Sequence, residues 1–98
     1  MNDDVFAPPP FRAADALATL RRTLRDLKLV EREGTFEWRA QPIAQLALEN
    51  EASIRVRIVK RPARSPEWET RLLRSHADLR KFADELKQRI ARWSDRDE

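Results

Sequence analysis

The hydrophobic period changes twice along this chain, and the two changes limit it to one broad architecture. From Phe11 to Val30 the apolar residues keep helical spacing. Leu17, Leu20, Leu24 and Leu27 step by 3, 4 and 3, so they share one helix face. Ala13, Ala14, Ala16 and Ala18 favour helix, and neither Pro nor Gly interrupts. The helix is expected to fade near Leu29. The segment EREG follows, and its Gly34 is the only glycine in 98 residues. Glycine reaches positive φ without steric cost, so the chain is expected to reverse there.

After Gly34 the period becomes two. TFEWR sets Phe36 and Trp38 against Glu37 and Arg39. IAQLALE groups Ala44, Leu46 and Leu48. SIRVRIVKR groups Ile54, Val56 and Ile58 on one side and Arg55, Arg57 and Val59 on the other. The segment WETRLLR has two readings. As a fourth strand it turns Trp68, Thr70 and Leu72 inward. Alternatively SPEWETRLL opens the final helix, with Pro66 at its first helical position.

Parity tests the strand pairing. Every proposed inward residue carries an even number, and a one-residue slip in register would invert a strand's faces. Turns with an odd number of residues satisfy this: Ala40-Gln41-Pro42 and Glu49-Asn50-Glu51, with Asn50 or a neighbour in the left-handed conformation. That register sets Arg55 across from Gln45 and Arg57 across from Ile43. A fourth strand then brings Glu69 opposite Arg57 as a cross-strand ion pair.

From Ser75 the period returns to that of a helix. Ser75 and Asp78 have the spacing of a capping box, with Asp in place of Glu or Gln. Leu79, Phe82, Ala83, Leu86, Ile90 and Trp93 form one stripe, and Glu85 and Arg89 form an i,i+4 ion pair.

These patterns predict an α+β fold in two layers, α-β-β-β-(β)-α. An antiparallel meander sheet carries both helices on one face, and its other face meets water. The single domain is expected over residues 12–94. A disordered Pro-rich tail is expected over 1–11 and a short disordered tail over 95–98. The first ten residues lack a basic segment followed by an apolar run, so no secretory signal is expected. No apolar stretch approaches the roughly 20 residues that span a bilayer. The expected location is the cytoplasm.

The sequence offers catalysis little. No cysteine is present, so disulfides, thiolate ligands and thiol nucleophiles are excluded. The one histidine, His76, falls in the first turn of the last helix, where a solvent-exposed role is expected. Ser53, Ser65, Ser75 and Ser94 lack the glycines of a nucleophile elbow, and one glycine cannot build a phosphate-cradling loop. Trp38, Trp68 and Trp93 lie on apolar stripes and are expected to pack in the core. No enzyme activity, metal, cofactor or small-molecule substrate is expected.

Charge leaves two candidate functions. The 20 basic residues exceed the 17 acidic ones by three, too few for a large field unless they segregate. The densest basic run is RVRIVKRPAR. Arg55 and Arg57 follow the strand period, whereas Lys60, Arg61 and Arg64 fall at the strand end and on the loop beyond Pro62. Loop cations suit phosphate contact. Element order over residues 12–94 resembles that of the double-stranded RNA-binding domain. That resemblance implies RNA recognition by a helix, a strand-connecting loop and the start of the last helix. The family's Gly-Pro-x-His loop is absent. Its lysine-rich helix start is replaced by SHADLRK, where Arg80 and Lys81 are the basic residues. Nucleic-acid binding through Arg55, Arg57, Lys60, Arg61 and Arg64, with Arg80 and Lys81, is therefore the second expectation. The first is a small protein-interaction module, self-associating through the outer sheet face or an edge strand. Its candidate interface residues are Ile43, Ala47, Val59 and Leu73, apolar positions mixed with arginines as interfaces are.

Overall fold

The computed structural model describes residues 10–96. Helix α1 (Ala13–Asp26) leads into β1 (Val30–Arg32), β2 (Thr35–Trp38), β3 (Gln41–Asn50), β4 (Ser53–Val59) and β5 (Trp68–Leu73), and helix α2 (His76–Arg96) ends the fold. The strands form one antiparallel sheet in the order β1-β2-β3-β4-β5. The α+β meander is as expected, with one more strand: the EREG segment pairs with β2 before it turns. The proposed tail over residues 1–9 and residues 97–98 lies outside the described residues. Phe11, placed in that tail by the sequence, packs against the core and meets the His76 ring edge-on at 5.3 Å. Helix α2 continues to Arg96, past the expected end at residue 94.

Both helices lie on one sheet face. Ala13, Ala16, Leu17, Leu20 and Leu24 of α1 and Phe82, Ala83, Leu86 and Trp93 of α2 join Phe36, Ile54, Val56 and Ile58 in one buried cluster. Trp38 and Trp93 close it, with ring centroids 5.8 Å apart. Ser75 caps α2: its Oγ accepts from the Asp78 N–H at 3.1 Å, while Asp78 Oδ2 accepts from the Arg74 N–H at 2.9 Å. The capping spacing was legible, although the carboxylate reaches one residue further back than in the standard box.

Positive φ closes the first two hairpins. Glu33 and Gly34 sit at 53° and 83°, and Arg39 and Ala40 at 52° and 68°, as two-residue type I′ loops require. The Arg39-Ala40 loop replaces the expected Ala40-Gln41-Pro42 turn. Its even length would invert β3 relative to β2, and a bulge restores the match. Phe36 pairs with Ala44 but Glu37 with Pro42, leaving Ile43 as the extra residue. Ile43 and Ala44 are then both fully buried. Ile43 was expected on the outer face and belongs instead to the core. Because the left-handed region costs a Cβ-bearing residue about 1–2 kcal/mol, Ala40→Gly should stabilise the fold. Allowing for glycine's extra chain entropy, the gain should be about 0.5–1 kcal/mol by urea unfolding.

The β3–β4 hairpin keeps the expected parity but moves by two residues. Gln45 lies across from Arg57 and Ala47 across from Arg55, with a register shift between Leu48 and Asn50. Asn50 does not take the left-handed conformation. Its Oδ1 accepts from the Ala52 N–H at 2.8 Å and the Ser53 hydroxyl at 3.0 Å, which closes the turn through the side chain.

The last strand reverses its expected faces. WETRLL is a strand, not the opening of the final helix, but Ile58 pairs with Glu69, Val56 with Arg71 and Ile54 with Leu73. The connection over residues 60–67 has an even length, so odd positions of β5 face inward. Leu73 is buried, while Trp68, Thr70 and Leu72 face outward. Thr70, not Glu69, lies across from Arg57, so the expected Arg57–Glu69 ion pair is not formed. Among the described residues no helix is long and apolar enough to cross a membrane.

Candidate interaction surface

The sheet face opposite the helices is not covered by another element of secondary structure among the described residues. Alternation along each strand assigns its residues. Val30 and Arg32 come from β1, Thr35 and Glu37 from β2, Gln45 and Ala47 from β3, Arg55 and Arg57 from β4, and Trp68, Thr70 and Leu72 from β5. Val30 and Leu72 are exposed apolar side chains at 55% and 37%. Ala47 is exposed as expected, but Val59 and Leu73, like Ile43, are buried. Leu72 takes their place as the accessible apolar side chain of β5, while Trp68 is half-buried and packs against the core cluster, as expected of it. Only the parity of the loop before β5 could have revealed this from sequence, and that loop contains no decisive turn residue.

The arginines on this face are locally engaged. Arg57 donates to Gln45 Oε1 at 3.1 Å, and its guanidinium lies 4.8 Å from the centroid of the Trp68 ring. Arg55 pairs with Glu49 at 3.2 Å, and Arg32 with Glu37 at 3.4 Å. Exposed pairs of this kind contribute only a few tenths of a kcal/mol. Their larger effect is to turn a row of cations into a mixed apolar and charge-paired surface.

The seven basic candidate residues do not form one patch. Arg55 and Arg57 lie on the outer face. Lys60 and Arg61 lie at the end of β4, where they share a shallow cleft with Glu69, Arg89, Arg92 and Trp93. Lys60 pairs with Glu67 at 3.8 Å, while Arg61 and Arg64 form no ion pair among the described residues. Arg80 and Lys81 are exposed near the start of α2. At 1.5 Å per residue, Arg80 stands roughly 18 Å along the helix axis from Arg92, at the cleft end. His76 is exposed in the first turn, as expected.

One charge cluster joins β5 to α2. Arg71 Nη1 donates to Glu85 Oε1, and Arg71 Nη2 donates to Glu85 Oε2 at 2.8 Å and to Glu69 Oε1 at 3.0 Å. Arg89 Nη2 donates to Glu85 Oε2 at 2.6 Å and to Glu69 Oε1 at 3.0 Å, and Arg89 Nη1 to the Val59 carbonyl at 2.8 Å. The Arg71 hydrogen bond, outweighing partial burial, lowers the Glu85 pKa to about 2. The Arg89 hydrogen bond likewise lowers Glu69, and Glu85 raises Arg71. The i,i+4 spacing of Glu85 and Arg89 announced their pair, but β5 was expected to turn Glu69 and Arg71 the other way. The arrangement is acid–base matched and fixes α2 against the sheet. Among the described residues no group of three His, Cys, Asp or Glu side chains is placed to hold a metal ion.

No protein-family model matches this chain, and neither does any curated protein or solved structure.

Proposed function

We propose that this chain is a non-enzymatic protein-interaction module of the cytoplasm that acts by self-association through its sheet. The observation that carries this reading is the composition of the open face. Trp68, Leu72, Ala47 and Val30 are interleaved with arginines whose charge is already engaged by Glu49, Glu37 and Gln45. Protein interfaces combine aromatic and apolar residues with arginine and little lysine. A phosphate-tracking surface needs unengaged cations in a continuous stripe. Sedimentation equilibrium over about 1 µM to 1 mM should show a monomer–dimer transition, since affinities in that range are typical of small interfaces. A mass that stays monomeric to the top of the series would contradict the reading.

Arg61 and Arg64 support a second reading, nucleic-acid contact through the β4–β5 loop, because they form no ion pair among the described residues. Binding to duplex RNA at low salt, weakening steeply as salt rises, would favour it. The absence of low-salt binding to RNA or DNA would remove it.

A further inference from the structure

We propose that the second copy joins through the free edge of β5, antiparallel, about a two-fold axis at Thr70. This deepens the self-association reading and rests on it. The phase of the β4–β5 ladder is fixed by the Lys60 N–H, which donates to the Glu67 carbonyl at 3.0 Å. Ladder bonds alternate along an antiparallel strand. Glu69, Arg71 and Leu73 therefore direct their backbone groups to β4, and Trp68, Thr70 and Leu72 direct theirs to the open side.

This edge lacks most of the usual protection. β5 pairs with β4 in unbroken register along all six residues, with no Pro, Gly or bulge, whereas the opposite edge, β1, has three residues. Proteins often guard an exposed edge with inward charges. Here those charges are Glu69 and Arg71, and they flank Thr70 with opposite sign. In a two-fold pair about Thr70, the Glu69 of each copy faces Arg71 of the other. Trp68 faces Leu72 across the seam on the open side, and the two Thr70 residues exchange both main-chain bonds. Sliding the pair by one allowed step sets Glu69 against Glu69 or Arg71 against Arg71. Like charges directly opposite are unfavourable. The edge thus accepts its own copy in one register and resists the neighbouring ones. Helix α2 packs over β5, so the two α2 helices would lie side by side on the same face of a continuous sheet and enlarge the buried area.

Two substitutions at Thr70 test the axis in the full chain. Proline is tolerated on an edge strand where its missing N–H would have faced solvent. Thr70→Pro should therefore keep the circular-dichroism spectrum of the fold. It should weaken the dimer at least about tenfold, because both central main-chain bonds are lost. The chain has no cysteine, so Thr70→Cys introduces a single thiol. Cα atoms about 5.5 Å apart across a hydrogen-bonded strand pair lie within disulfide range. Oxidised Thr70→Cys should run as a covalent dimer, and Val30→Cys on the far edge should not. A dimer that Thr70→Pro leaves unchanged would overturn the β5 seam while leaving self-association intact. A wild-type chain that is always monomeric would overturn both. If Thr70→Pro fails to fold, the cysteine variant decides: no covalent Thr70→Cys dimer overturns the axis.

Discussion

Phe82→Ala should destabilise the fold by about 3–5 kcal/mol, the range for emptying a buried aromatic site. Phe82 is 1% exposed and sits on the one stripe by which α2 joins the core. Its removal takes away transferred apolar area and leaves a cavity between layers, which Leu86, one turn along the same buried stripe, can fill only by moving. A domain of this size is stable by about 5–15 kcal/mol, so the loss is a large share of the total. Urea unfolding should show a lower midpoint with little change in slope. Lys87→Ala, on the exposed side of the same helix, should change stability by less than about 0.5 kcal/mol. Equal effects at the two positions would contradict the assigned helix face.

Glu85→Gln should cost about 1–2 kcal/mol at neutral pH, allowing for the solvent that reaches this half-buried cluster. Glu85 accepts from both Arg71 and Arg89, so its neutralisation leaves two guanidinium groups sharing Glu69 alone. The same residue sets an acid response. Its carboxylate is depressed from 4.5 to about 2 in the fold, so the unfolded chain takes up the proton first. The contribution is fully present above about pH 5 and fades as pH falls from there toward 2, and Glu69, also lowered, acts in the same direction. Wild-type stability should therefore drop across that window more than that of Glu85→Gln, and the two curves should converge in acid. Parallel curves would contradict the role assigned to Glu85.

What the sequence disclosed follows from how far each signal reaches. Helical stripes and the Ser75 cap are local, so both helices and their buried faces were legible, as was the reversal at Gly34. Strand existence was also local. Strand facing was not, because it depends on the parity of loops and on bulges. One bulge at Ile43 buried a residue that alternation had turned outward. One even-length connection inverted β5, exchanging Leu73 for Leu72 on the open face and moving Glu69 and Arg71 beside α2. β1 was missed because three residues are too few to show a period. The basic run beginning RVRIV was correctly explained by alternation at Arg55 and Arg57, although the partners that engage them are Glu49, Gln45 and Trp68.

A single amide reports most directly on association through β5. In the monomer the Thr70 N–H points to the open side of β5, whereas in the proposed dimer it is bonded across the seam. Hydrogen exchange at Thr70, followed from about 1 µM to 1 mM protein, should be fast in dilute solution and slow progressively as concentration rises. Exchange that is fast throughout would contradict association through β5, and exchange that is slow throughout would contradict the phase of the β4–β5 ladder.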